Sequence, residues 1–257
     1  MSSAPSAKDI HVAPISGQDA RALVRSVHYS GKVKNNSQLH LGVFLNGKLE
    51  GAMQFGPSND KAKVRGLVRD TPWNGFLELN RLAFREALPR NSESRALAVA
   101  FRLIRKHYPH IQWVVSFADG TQCGDGAIYR ASGFVLTAAR RNSGILRLPD
   151  GSVIHKLGVV TGKNKLANYA KTRGASSVSG GVPLDGFQFR YIYFIDPTAR
   201  ARLAVPEVPF SRIDELDARM VRGKKIARPW VASCEIPSCD GGSTPTRTLQ
   251  SARMDRG

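Results

Sequence analysis

The sequence predicts a mixed α/β domain, and three stretches carry that prediction. Residues 78–134 read as a strand (Glu78 to Phe84), a polar loop (Arg90 to Ser94), a long amphipathic helix (Arg95 to Tyr108), a buried strand (Ile111 to Phe117) and a short helix closed by Gly133-Phe134. Apolar residues recurring at helical spacing between two β-rich runs give that order. Asn46-Gly47 separates the apolar runs Leu39–Leu45 and Lys48–Phe55, the strongest short hairpin signal, because both turn residues need positive φ. Phe187 to Ile195 is rich in aromatic and β-branched residues and stops at Asp196-Pro197, where the ladder cannot continue.

The remaining elements follow in order. Ser16 is placed to cap a helix over Gln18–Val27, its hydroxyl accepting a free N–H of the first turn. That helix delivers His28-Tyr29-Ser30-Gly31 onto a loop. Gly133 stands where a helix end wants a left-handed residue. Pro149-Asp150-Gly151 predicts a second hairpin. Residues 1–14 read as a loose lead-in, 15–197 as the folded domain, and 198–257 as a basic, Pro-, Arg- and Ser-rich, largely disordered tail, the disorder read most clearly over 231–257.

Charge narrows the partners. The chain has 257 residues and a formal charge of +18. Residues 200–257 hold 11 Lys and Arg against 7 Asp and Glu, so +14 belongs to the first 199 residues. A folded body this basic meets a polyanion, nucleic acid first among them. Residues 140–173 hold 8 Lys and Arg against the single acid Asp150, which makes Arg140, Arg141, Lys163 and Lys165 candidate backbone contacts. Three cysteines, Cys123, Cys234 and Cys239, without metal-type spacing predict neither a disulfide scaffold nor a zinc site. No apolar run approaches the ~20 residues of a membrane span. The expectation is a soluble, cytoplasmic protein.

Candidate site residues cluster at element ends. Arg81, on a strand whose Leu82 and Phe84 face a core, is either a solvent-facing charge or an anion clamp. The loop with Arg90, Ser92 and Ser94 leads into a helix N-terminus, where free N–H groups serve equally as a cap or as a pyrophosphate site. Asp119 ends a buried strand, where α/β sheets place functional residues, though an Asx-turn explains it as well. Asp125, between glycines, reads as a turn residue. His28 and Tyr29 are either packed loop residues or, with a distant Asp, part of an oxygen-rich metal site.

His28-Tyr29-Ser30-Gly31-Lys32, Gln54-Phe55-Gly56-Pro57, Glu78-Leu79-Asn80-Arg81, Arg90-Asn91-Ser92-Glu93-Ser94-Arg95 and Ser116-Phe117-Ala118-Asp119-Gly120-Thr121 together resemble the Mom family of bacteriophage DNA-modification proteins. The resemblance covers residues 15–197 in matching order. It implies a GNAT-like acyltransferase fold and conversion of adenine in phage DNA to an N6-acetamido (carbamoylmethyl) form that resists host restriction. It implies acetyl-CoA or a related donor held by Arg81, Arg90, Ser92 and Ser94. By the same resemblance Arg81, Ser94, Asp119 and Tyr29 are catalytic, and His28, Tyr29 and Asp119 hold Fe2+. Two departures stand out. The loop lacks the usual glycines and carries Glu93, and a carbamoylmethyl product needs an alkyl-type bond to nitrogen.

The sequence therefore predicts a phage- or prophage-encoded transferase acting on double-stranded DNA in the cytoplasm of a bacterial host, with a homodimer as an open arrangement. The alternatives are a conventional GNAT N-acyltransferase acting on protein or tRNA amines, and a non-catalytic nucleic-acid-binding protein. Charge reversal at Arg140, Arg141, Lys163 and Lys165 is expected to weaken DNA binding whatever the sequence. Each lost phosphate contact should flatten the slope of log K against log salt by about 0.9. A slope equal to the wild-type one would place the duplex elsewhere.

Overall fold

The computed structural model describes residues 4–155 and 181–226, which belong to one compact unit. In chain order the elements are β1 (His11–Pro14), α1 (Gly17–Val27), β2 (Leu39–Leu45), β3 (Lys48–Gly56), α2 (Lys61–Arg65), β4 (Phe76–Phe84), α3 (Ser92–His107), β5 (Trp113–Gly120) and α4 (Ala127–Ala131). They continue with β6 (Val135–Arg141), β7 (Ile145–Arg147), β8 (Val153–His155), β9 (Val182–Pro183), β10 (Phe187–Phe194), a 3-10 turn (Pro197–Arg202), α5 (Ser211–Glu215), β11 (Met220–Val221) and β12 (Lys224–Lys225). Seven strands form one sheet in the order β1-β2-β3-β4-β5-β10-β6. Among its pairs, β4–β5 is parallel and the rest are antiparallel. This is the mixed α/β class expected from the sequence.

Local chemistry sets the elements as predicted. Ser16 caps α1, its Oγ accepting the Asp19 N–H at 3.0 Å. Asn46 (φ 50°) and Gly47 (φ 76°) make the tight turn between β2 and β3. Helix α3 begins at Ser92 rather than Arg95 because the serine-rich loop is recruited as its first turn. Glu93 there suits the positive end of the helix, and Arg105, Lys106 and His107 suit the negative end.

Each face of the sheet has its own cover. On one, Ala96, Leu97, Ala100, Phe101 and Ile104 of α3 pack over Leu41, Met53, Phe55, Leu79 and Val114. On the other, Ala20, Leu23 and Val24 of α1 lie on Ala52 and Ala83. Farther along that second face, Phe76, Trp113, Val115 and Ile192 are covered by Val64, Leu67 and Ala199. A stretch of this face between the two apolar clusters is left polar.

The chain beyond Asp196 departs from the expected tail. Asp196 caps the 3-10 turn through the Thr198 N–H at 3.0 Å, Ile213 is 2% exposed in the main core, and the β11–β12 hairpin docks on residues 123–125. Few apolar anchors suffice here, because backbone bonds supply the rest: Asp125 N–H to the Met220 carbonyl at 3.0 Å and Gly223 N–H to that of Cys123 at 2.7 Å. Asp125 is more than a turn residue. It is 1% exposed and paired with Arg130 at 3.1 Å. Removing one partner of such a buried pair leaves an uncompensated charge. Residues 227–257 of the expected tail, and most of the basic 140–173 segment with Lys163 and Lys165, lie outside the described residues.

Candidate active site

A break in strand pairing creates the cleft. Strands β4 and β5 pair at Phe76, Leu77 and Glu78 against Trp113, Val114 and Val115. Past that point β4 follows β3 to Phe84 and β5 follows β10 to Gly120, so the two strands part company. Side-chain alternation then decides what lines the gap. Gln54 and Arg81 face each other across β3–β4, and Glu78 lies opposite Gly56. Phe117 pairs with Arg190 and Asp119 with Gln188. All belong to the face that α1 covers only in part.

Asp119 gathers this face together. Its Oδ1 accepts the Thr121 N–H at 2.9 Å, the Thr121 hydroxyl at 2.5 Å and the Gln188 amide at 2.8 Å. Its Oδ2 accepts the Tyr29 hydroxyl at 3.2 Å and the Gln122 amide at 3.1 Å. The Asx-turn reading and the functional-site reading of Asp119 thus describe one carboxylate. Tyr29 lies on a strap, residues 28–38, that crosses the cleft. Arg81 clasps the same strap, its Nε donating to the Lys32 carbonyl at 2.7 Å and its Nη1 to the Asn80 carbonyl at 2.6 Å.

The electrostatics follow from burial. His28 is pushed down to about 4 by burial, with the Arg81 charge adding to the effect and Asp119 opposing it. The ring is therefore neutral at pH 7, and its Nδ1 accepts the Ser30 N–H at 3.2 Å. Partial burial and the Asp119 carboxylate beside it push the Tyr29 phenol above its ordinary value, so it donates. Burial likewise raises the Cys123 thiol, which argues against a nucleophilic thiolate. Tyr129, on α4, is pushed up to about 12 by burial and is hydrogen-bonded to Ser116.

Binding the expected iron would require the hydrogen bonds of this set to rearrange. Tyr29 donates toward Asp119, whose oxygens receive five hydrogen bonds, and His28 turns Nδ1 to a backbone N–H. A cation would have to displace these donors and take the proton from Tyr29. The sequence does bring His28, Tyr29 and Asp119 to one place, as a hydrogen-bonded hub.

The proposed cofactor residues fall elsewhere. A cavity of about 450 Å³ lies between the β4–α3 loop and α4, lined by Arg85, Arg90, Glu93, Ser94, Ile128 and Arg222 among others. Ser94 and Arg90 therefore share this cavity, whereas Arg81 lies on the strap side and Ser92 is fully buried beneath the helix start. Arg222 was missed because it comes from the segment that reads as tail; it pairs with Glu86 at 3.5 Å. Arg140 and Arg141 are exposed at the end of β6, Arg141 pairing with Asp185 at 2.9 Å.

The His28 environment yields a prediction. Its folded value lies below the unfolded ~6.5, so its contribution to stability is present above that pH and is lost as pH falls toward about 4. In NMR titration the His28 ring signals are expected to stay those of neutral imidazole down to about pH 5. A midpoint near 6.5 would contradict the buried, Arg81-facing placement.

Comparison with known proteins agrees with the resemblance. The model of the Mom protein family matches residues 9–212. The methylcarbamoylase Mom of Escherichia phage Mu is 36% identical over 203 residues, covering 76% of this chain and 80% of that protein. Among solved structures, the ribosomal-protein-S18-alanine N-acetyltransferase of Escherichia coli aligns over 72% of this chain and 94% of its own, at 12% identity and a TM-score of 0.40. Arabidopsis thaliana NAA60 aligns over 72% of this chain and 97% of its own, at 11% identity and a TM-score of 0.43. With a family match spanning most of its folded part and a relative at this identity, the chain belongs to the Mom family.

Proposed function

We propose that this protein installs a carbamoylmethyl group on the exocyclic amine of adenine in phage or prophage DNA, protecting that DNA from restriction inside the bacterial host cell. The observation that carries the reading is the 36% identity to a protein named methylcarbamoylase over 80% of its length. The basic body supports DNA as the partner. Among the described residues no helix is long and apolar enough to cross a membrane.

The two sides of the sheet divide the labour. The amine of adenine is engaged in pairing within a duplex, so the base must leave the stack to react. On the strap side, Tyr29 and Phe117 are 49% and 45% exposed and offer ring faces to a displaced base. On the α4 side, the cavity with Arg90 and Ser94 opens at the N-terminus of α3, where an anionic donor such as an acyl-CoA gains from backbone N–H groups and flanking arginines. When bound there, such a donor supplies an activated two-carbon unit. Acetyl-CoA lacks the amide nitrogen and activates its carbonyl rather than its methyl carbon, so the donor belongs to a class whose CH2 carbon bears the leaving group that adenine N6 displaces and whose carbonyl carries or acquires the amide nitrogen. Asp119 and Arg81 hold the strap, and with it Tyr29, over the gap between β4 and β5.

Nucleoside mass spectrometry of DNA from cells expressing the protein tests the reading. Modified adenine is expected, falling at least tenfold in Arg81→Ala, which frees the strap, and in Ser94→Ala, which alters the donor cavity. An adenine pool left unmodified by the wild-type protein would reject the reading. Acetylated protein or tRNA amines would favour the conventional N-acyltransferase instead.

A further inference from the structure

Beneath the strap lie two buried amides with unspent hydrogen-bonding groups. Gln54 is 0% and Asn80 6% exposed. They occupy neighbouring positions at an irregularity of the β3–β4 ladder, where Gln54 pairs with Arg81 and Phe55 with Leu79, leaving Asn80 as the extra residue. Such bulges re-aim a side chain. Here the Asn80 Oδ1 lies 2.8 Å from where a Cβ on Gly56 would stand, and Gly56 lies opposite Glu78 on the strap-side face.

Neighbours orient both amides. The Ser37 hydroxyl donates to Asn80 Oδ1 at 2.9 Å, so Asn80 must turn its Nδ2 donor the other way. Gln54 Nε2 lies 3.2 Å from His40 Nδ1, and with that ring nitrogen accepting, its Oε1 is left as acceptor. Asn80 Nδ2 and Gln54 Oε1 are both buried without a protein partner. Leaving one such group unsatisfied costs about 1–3 kcal/mol, and native interiors leave few of them. Two at adjacent positions, one donor and one acceptor, in the cleft of a nucleic-acid-modifying enzyme point to a ligand edge of opposite pattern.

We propose that Asn80 and Gln54 read the Watson–Crick edge of the displaced adenine, Asn80 Nδ2 donating to N1 and Gln54 Oε1 accepting an N6 hydrogen. This specificity role rests on the adenine reading above. Guanine presents the reverse pattern at these positions, an N1 hydrogen and an O6 acceptor, so donor would meet donor and acceptor would meet acceptor. The strap is what covers the pair. It is held by Ser37 on Asn80, by Arg81 on the Lys32 carbonyl, by Tyr29 on Asp119 and by Lys34 on Asn59. Lifting it opens the edge-reading groups to a base and frees the ring of Tyr29 to stack. The clasp and the reader are therefore neighbours in sequence, Asn80 followed by Arg81.

The test uses a duplex whose modified adenine has been located by sequencing DNA modified in cells. That adenine is replaced by 1-deazaadenine, which keeps the amine but puts C–H in place of N1, or by 7-deazaadenine as a control. Binding is read by fluorescence anisotropy, with no group donor needed. The wild-type protein should bind the 1-deaza duplex about tenfold more weakly than the parent and the 7-deaza duplex equally well. In Asn80→Leu, which keeps the branched outline but removes the hydrogen-bonding groups, the 1-deaza and parent duplexes should bind alike. Wild-type binding indifferent to N1 would overturn the assignment without needing any variant to fold, and would mark the pair as a site for a bridging water. An Asn80→Leu protein that still discriminates N1 tenfold would overturn it as well. A wild-type protein that modifies no adenine in cells would instead defeat the reading on which the assignment rests.

Discussion

One carboxylate holds the site together. Asp119 accepts five hydrogen bonds, from Tyr29 on the strap, from Thr121 and Gln122 in its own loop and from Gln188 on the neighbouring strand. Ionised acceptors make bonds roughly twice as strong as neutral ones, so these donors are positioned firmly. The consequences spread outward. The Asp119 carbonyl accepts the N–H groups of Cys123 and Gly124, both at 2.9 Å, and the turn so formed leads to Asp125 and α4. Tyr29 brings His28 with it, their rings 4.4 Å apart.

The hub has a function only because β4 and β5 separate. A sheet that stayed paired past Glu78 and Val115 would close the gap between its two faces. In the proposed function, that separation is what would let a base on the strap side and a donor on the α4 side meet across the sheet. Pairing of β5 with β10 satisfies the outer edge of β5, and pairing of β4 with β3 satisfies that of β4, so the gap exposes only the inner edges. Those edges, with Asn80, Arg81 and Ser116 upon them, are where chemistry can reach backbone and side chain at once.

Much of this was legible in the sequence, for local reasons. The Ser16 cap, the Asn46-Gly47 turn and the apolar stripe of α3 are written in neighbouring residues, and the structure has them where expected. So is the strand-end placement of Asp119. Less legible was anything that depends on distant packing. The 3-10 turn and α5 lie in a Pro- and Arg-rich stretch whose few anchors, Ala199 and Ile213, announce nothing until they meet their cores. Arg81 and Ser94 are thirteen residues apart and read as one cofactor site, yet strand alternation sends Arg81 to the strap side while the helix start sends Ser94 to the cavity. The His28, Tyr29 and Asp119 set was found correctly as a cluster. Its proton inventory, set by burial, could not be read from residue types.

The central claim is that Asp119 keeps the strap closed over the cleft. Hydrogen exchange on the full-length protein, wild type against Asp119→Ala, tests it most directly. The account predicts faster exchange at the strap amides of Ser30, Gly31 and Lys32, with the amides of Val114 and Val115 in β5 unchanged. Strap protection equal to the wild-type level in the variant would contradict it.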